Sequence, residues 1–450
     1  MRVARRELPA VAAAALLVCA AFVLPRLHWG VRPRTDVGQE RFGTHTGAAP
    51  IFGAWEIHAS WGTGPAIAIA VAAVWWGSIL AQRLSWRLLT FVSWATACGW
   101  AFALAMIDGW QRGFAGRLTT RDEYLSAVPG ITDIPATVRT FASRIVDYQP
   151  NSWTTHVSGH PPGALLTFVW LDRIGLHGGA WAGLLCLLAG SSAAAAVLIA
   201  VRALADERTA RLAAPFVAVA PTAIWVAVSA DGYFAGVAAW GLALLAVAVH
   251  GPVRFPALTA AAAGLLLGWG VFCNYGLMLM GLPALAVLAS AADWRAALRA
   301  LGPAALAAVA VASAFAVAGF YWFDGYTLVQ QRYWQGIAKD RPFPYWGWAN
   351  LASVVCAIGL GGVAGVSRVF DVAAIRRRSG FHLVLLAMLA AIVLADLSML
   401  SKAEVERIWL PFTVWLTAAP ALLPVRSHRV WLALNAAGAV LLNTLIVTNW

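Results

Sequence analysis

Apolar runs of 17 to 22 residues recur along the whole chain, and about 20 apolar residues are what an α-helix needs to cross the roughly 30 Å hydrocarbon core of a bilayer. With 61% apolar and 12% charged residues, the chain is expected to be an all-α integral membrane protein. Lipid offers no partner to backbone N–H and C=O groups, so helices must satisfy them internally. About thirteen spans are expected, near 9–25, 63–82, 88–108, 180–201, 211–229, 232–250, 256–273, 275–291, 302–322, 346–366, 381–400, 408–424 and 430–448. The first run follows Arg2, Arg5 and Arg6 like a signal peptide, but no small-residue cleavage site precedes Arg26, so an uncleaved helix is expected.

Loop charge orients these spans. Arg83 with Arg87, Arg202 with Arg208 and Arg211, Arg254, Arg295 with Arg299, Arg368 with Arg376 to Arg378, and Arg426 with Arg429 fall in alternate loops, together with the N-terminus. Basic residues gather on the cytoplasmic side, which puts the C-terminus outside. The net charge of +12 reflects these loops rather than a nucleic-acid partner. The segment Pro161–Gly175 is short for a span, and counting it as one would invert every later loop. A helix at the outer surface is expected there.

Three polar segments then face outward, at about 26–62, 109–177 and 324–345, with short turns at Asp231, Asn274 and 401–407. In the second, Tyr124, Leu125 and Val128, then Val138, Phe141, Ile145 and Tyr148, recur at helical spacing and suggest amphipathic helices on the bilayer. No linker, charge block or repeat divides the chain, so residues 1–450 are read as one membrane domain. The five cysteines all lie in apolar runs without paired spacing and offer no metal-ligand set. There is no Walker motif and no dinucleotide fingerprint in a strand–turn–helix setting.

Acids, histidines, aromatics and prolines concentrate between Arg121 and Leu176. Asp122, Glu123 and Tyr124 are followed by His160, Pro161 and Pro162 before an apolar helix, then by Arg208 to Pro221, and by Asp231 opening the next span. In this arrangement the chain resembles the GT-C glycosyltransferases, in the polyprenyl-phosphate-sugar branch that includes protein O-mannosyltransferases and aminoarabinose transferases. The resemblance covers about Trp110 to His250. The run KAEVERIWLPF at Lys402 to Phe412 looks like the last outer loop of actinobacterial members that build arabinomannan and lipoarabinomannan.

The resemblance implies transfer of a sugar (a pentose such as methylthioxylose, or mannose or arabinose) from a polyprenyl phosphate to a cell-envelope lipoglycan at the outer face. In the family the acid pair follows the first span, whereas here it follows the third. Asp36 and Glu40, with His58 and the Gly62–Pro65 turn, therefore stay candidates beside Asp122 and Glu123 for the catalytic carboxylate.

Such a reaction needs a carboxylate to orient or deprotonate the acceptor hydroxyl and cations to neutralise the departing phosphate. Asp122 and Glu123 can equally cap a helix start. Pro161 and Pro162 fix φ and hold His160 at a helix entrance. His156 and His160 can bind sugar or phosphate, serve as structural contacts, or hold a metal, although no matching acid makes a metal site specific. Lys402 and Arg407 are placed to clamp the donor phosphate, with Glu404 or Glu406 steadying the guanidinium. Asp231 and Asp396 lie near the outer ends of spans, where ionisable groups are usually paired or functional. The third loop sets Arg332, Lys339 and Arg341 among aromatics that suit either sugar stacking or an interfacial belt. A divalent cation is left open, because carboxylates that bind one can also act alone. A secondary transporter or flippase of a lipid-linked sugar is the alternative; it calls for charge at mid-membrane and broken helices in two related halves.

Overall fold

A computed structural model describes residues 7–27, 29–35 and 47–449. Asp36 and Glu40 lie outside the described residues. Nine described helices are long and apolar enough to cross a membrane: Glu7–Arg26, Thr63–Arg83, Trp86–Ala105, Gly179–Leu204, Ala230–His250, Pro256–Cys273, Trp294–Val317, Phe343–Val366 and Gly380–Leu397. The four other expected spans fall on shorter, broken or more polar helices. Residues 211–229 form Glu207–Ala218 and Ala223–Val226, separated by a non-helical step before Pro221. Tyr275–Ala289 begins as a 3-10 turn. Residues 405–422 form Val405–Ile408, Leu410–Leu416 and Ala419–Leu422, and Val425–Leu445 completes the bundle.

Small residues set how closely these helices approach, which is what packing in lipid requires when helix faces gain nothing from leaving water. A side chain at Gly163 would strike the Phe272 carbonyl, so Pro162–Arg173 lies directly against Pro256–Cys273. Helix Phe343–Val366 kinks at Gly359, whose φ is +72°. Asn435 spans the kink by accepting the Gly361 N–H at 2.7 Å, and so re-satisfies backbone that the bend frees.

One end of the bundle gathers the arginine-rich loops. There Arg211 donates to the carbonyls of Ala81 and Leu84, Arg368 pairs with buried Glu7 at 2.9 Å, and Arg429 stacks on Trp75. The opposite end gathers the polar loops and ties together segments far apart in sequence. Strand β1 (Gly53–Trp55) pairs antiparallel with β2 (Ile446–Thr448), Gly53 opposite Thr448. Arg117 donates to the Thr448 carbonyl at 2.7 Å and lies 3.7 Å from Asp108, which pairs with His58 at 2.6 Å.

The second polar loop departs from its expected form. Helix Pro162–Arg173 is buried from Pro162 to Val169 rather than resting on a surface. The earlier periodic stretch folds as short turns at Tyr124–Ser126 and Val128–Gly130, one helix at Ile134–Thr140, and a turn at Ala142–Arg144. Its apolar positions do face inward, with Tyr124, Val128, Val138, Phe141 and Ile145 buried, but Tyr148 is exposed. The loop is a packed cap on the bundle, so its apolar residues bury against protein.

Candidate functional site

A small cavity at the polar-loop end is lined by Glu123, Tyr124, His156, Ser229, Ala230, Asp231 and Arg407. Three separate parts of the chain meet there, and each is held by local chemistry that its sequence dictates.

The second loop supplies Glu123 and His156. Asp122 accepts the Thr155 hydroxyl at 3.0 Å, and its carbonyl accepts the His156 N–H at 3.1 Å. Asp122 therefore anchors the start of helix Thr155–Gly159 and leaves the cavity to its neighbour. Glu123 is buried, and its Oε1 lies 2.8 Å from His156 Nδ1. Burial alone would pull the His156 pKa down, but the Glu123 carboxylate more than offsets this and leaves it raised. Tyr124 stacks on Phe168 at 5.2 Å between centroids and on His156 at 6.4 Å.

The His-Pro-Pro step comes next. Pro161 takes an extended ψ of 162° and Pro162 opens the following helix, which keeps His160 extended as well. His160 Nδ1 lies 2.8 Å from the His156 carbonyl, an arrangement in which the imidazole donates. Burial pushes its pKa down to about 4, so it is a neutral group that braces His156.

Asp231 comes from the first turn of helix Ala230–His250, where the helix dipole favours a carboxylate. Ser229 caps that helix by accepting the Asp231 N–H at 3.0 Å, and its hydroxyl donates to Asp231 Oδ2 at 3.2 Å. Asp231 Oδ1, buried in the cavity wall, has no hydrogen-bond partner among the described residues.

The last outer turn supplies Arg407. Ala403 and Glu404 adopt positive φ of 71° and 64°, a conformation that costs roughly 1–3 kcal/mol at a non-glycine residue and must be enforced by its surroundings. The enforcement comes from three directions. Asn350 accepts the Ala403 N–H and donates to the Ser401 carbonyl and to Asp396. Arg341 donates to the Lys402 carbonyl at 2.7 Å, and the Tyr333 hydroxyl accepts the Lys402 N–H at 3.1 Å.

So held, the turn aims Arg407 inward. Its Nη1 lies 2.6 Å from Asp231 Oδ2, and its Nη2 lies 2.6 Å from Glu404 Oε2 and 3.4 Å from His156 Nε2. Arg341 meets the second oxygen of Glu404 at 2.9 Å. Burial would raise the Glu404 pKa, but the two guanidinium groups hold it down to about 2. Burial would likewise weaken the Arg407 charge, yet Asp231 and Glu404 leave its pKa raised.

The sequence-derived candidates therefore separate. Glu123, His156, Asp231 and Arg407 line one cavity, with His160 behind them and Glu404 on the far side of Arg407. Glu406 is buried on the same turn but turns away, its Oε1 accepting the Phe52 N–H at 2.8 Å; burial pushes its pKa up to about 7. Lys402 places its ammonium 4.5 Å over Trp334. Arg332 is drawn elsewhere, pairing with Asp147 and donating to the Ser158 hydroxyl at 3.2 Å. Sequence reasoning missed Ser229, which an S-x-D cap signature would have revealed, and the roles of Arg341 and Asn350, which no local pattern marks.

Among the described residues no group of three or more His, Cys, Asp or Glu side chains is disposed to hold a metal ion. The two nearest carboxylates already share a guanidinium.

No protein-family model matches the chain, and no curated protein sequence matches it. Solved structures do. The oligosaccharyltransferase of Archaeoglobus fulgidus in complex with Zn and sulfate aligns at a TM-score of 0.51 and 16% identity, over 79% of this chain and 52% of that one. Its apo form aligns at 0.50 and 12% identity, over 75% and 50%. ArnT from Cupriavidus metallidurans in the apo state aligns at 0.46 and 16% identity, over 71% and 57%. The chain thus spans about half the length of the archaeal transferase and shares its GT-C-like fold.

Proposed function

We propose that this protein is a membrane glycosyltransferase that takes a sugar from a polyprenyl-phosphate donor and attaches it to a cell-envelope glycan. The observation that carries the reading is the cavity in which a buried carboxylate, an imidazole and an arginine converge at one end of a GT-C-like bundle. Glu123 is the general base for the acceptor hydroxyl, and His156 orients it through the 2.8 Å contact. Asp231 Oδ1 receives a sugar hydroxyl, and Arg407 faces the charge that develops on the departing phosphate. Lys402, buried against Tyr333 and Trp334, adds a second cation on an aromatic corner.

The finer reading, that the sugar is a pentose such as methylthioxylose or else mannose or arabinose and the acceptor a lipoglycan such as lipoarabinomannan, rests on the Lys402–Phe412 run. The arginine pattern supports an outer-face site with the N-terminus cytoplasmic, in a plasma membrane. Membranes containing the protein, given labelled polyprenyl-phosphate sugars and lipoarabinomannan-type acceptors, are expected to transfer label. Absence of transfer with every donor would overturn the reading.

One observation favours transport of a lipid-linked sugar instead: helix Glu207–Ala218 breaks before Ala223–Val226 inside the bundle, as transporter helices do at their binding sites. Against it, the broken step carries no ionisable group, and the ionisable cluster lies in the loops and at the first turn of helix Ala230–His250.

A further inference from the structure

We propose that the guanidinium of Arg407 is the resident cation of this site, holding the place among Asp231, Glu404 and the Glu123–His156 pair that a divalent metal ion would otherwise take. The inference deepens the glycosyltransferase reading and rests on it only for the role of the charge. Its geometric part stands alone.

Hard divalent ions bind carboxylate oxygens at roughly 2.0–2.6 Å. Arg407 already meets one oxygen of Asp231 and one of Glu404 at 2.6 Å, with separate nitrogens. An ion sharing those two oxygens would sit against the guanidinium carbon. The remaining oxygen of Glu404 is held by Arg341 at 2.9 Å, and Oε1 of Glu123 faces His156. Asp231 Oδ1 has no partner among the described residues, but its companion oxygen is already taken by Arg407.

The archaeal transferase of the same fold was solved with Zn and sulfate; here the arrangement of side chains assigns the cationic part to an arginine. Arginine cannot lose its charge in the working pH range, so this cation, unlike a metal, is not removed by a chelator.

The test is Mn2+ binding, followed by electron paramagnetic resonance on the purified full chain in detergent, with no substrate present. Wild type is expected to bind no stoichiometric Mn2+ at this site. Arg407→Ala, which leaves Asp231 and Glu404 facing an emptied space, is expected to gain about one bound ion, and Arg407→Ala with Asp231→Asn to lose it. Arg407→Met fills the volume and is expected to gain none if it folds as wild type does. Stoichiometric Mn2+ on wild type overturns the proposal, as does a folded Arg407→Ala that binds none. If membranes show transfer, that transfer should survive EDTA; a loss restored by added Mn2+ would also overturn it. Failure of transfer altogether bears on the glycosyltransferase reading and leaves the binding result intact.

Discussion

Nδ1 of His156 lies 2.8 Å from Oε1 of Glu123, and the far side of the same ring faces Arg407. A guanidinium only donates, so in neutral His156 the ring proton sits on Nδ1 and points at Glu123. The carboxylate is thereby oriented with one oxygen engaged. Glu123→Gln is expected to lower kcat roughly 100- to 10,000-fold, the span of general-base contributions. Asp122→Asn, which touches only the Thr155 cap, should cost less than tenfold. Label transfer at matched expression checks both, and the reverse order would move the base to Asp122.

Glu406 supplies a pH dependence of known sign. Its folded pKa is raised to about 7 from 4.5, so the fold favours the protonated form. That contribution is full below about 4.5 and is lost as pH rises through 7. Glu406→Gln keeps an oxygen for the Phe52 N–H and should flatten the profile. By pH 8 it is expected to exceed wild type by up to about 3 kcal/mol. Thermal unfolding in detergent across pH 5–8 reads this; parallel curves for the two proteins would refute it.

Arg341→Ala breaks one side of the Glu404 pairing and frees the Lys402 carbonyl. Removing one member of a buried ion pair costs roughly 3–5 kcal/mol, here spread over a turn that two other partners also hold. Stability is expected to fall by at least about 2 kcal/mol, and kcat to fall with it because Arg407 loses its aim. Arg341→Lys should recover part of the stability and little of the rate. A variant as active and stable as wild type would show that the turn holds itself.

At Gly359 a methyl group would come 2.5 Å from Asn435 Oδ1, on a backbone with φ +72°. Gly359→Ala is expected to lose roughly 1–3 kcal/mol, with the midpoint of unfolding lowered accordingly. Gly64→Ala, with nothing within 4 Å, is the matched control and should be near neutral.

Single cysteines introduced at Asp133 and at Arg208, in a background without native cysteines, test orientation. The first is expected to react with impermeant maleimide in intact cells and the second only after lysis. The opposite labelling would invert the arginine assignment.

Span positions were legible because a bilayer imposes one long apolar period, and even the broken segment at 207–226 carried enough apolar residues to be counted. Its break was not legible, since it depends on how Trp100, which donates to the Ala220 carbonyl at 3.0 Å, stabilises freed backbone. The site was half legible. Glu123, His156, Asp231 and Arg407 each stood out as polar groups in apolar surroundings, but choosing Glu123 over Asp122 required seeing which one faces the cavity. Arg332 and Arg341 look alike in sequence, and only the contact with Glu404 separates them. The second loop was misjudged because helical spacing does not say whether the apolar side meets lipid or protein.

The pairing of β1 with β2 imposes an order on biogenesis. Residues 53–55 leave the ribosome early, yet their strand partner is residues 446–448, and Glu406, which holds Phe52, is also made late. Long-range pairings of this kind close last and slowly. Until helix Val425–Leu445 has been threaded into the bilayer, strand β1 in the first outer loop has no strand to pair with. A ribosome stalled before that point would leave a bundle that is inserted and largely helical, a species for membrane quality control to find by its unpaired edge.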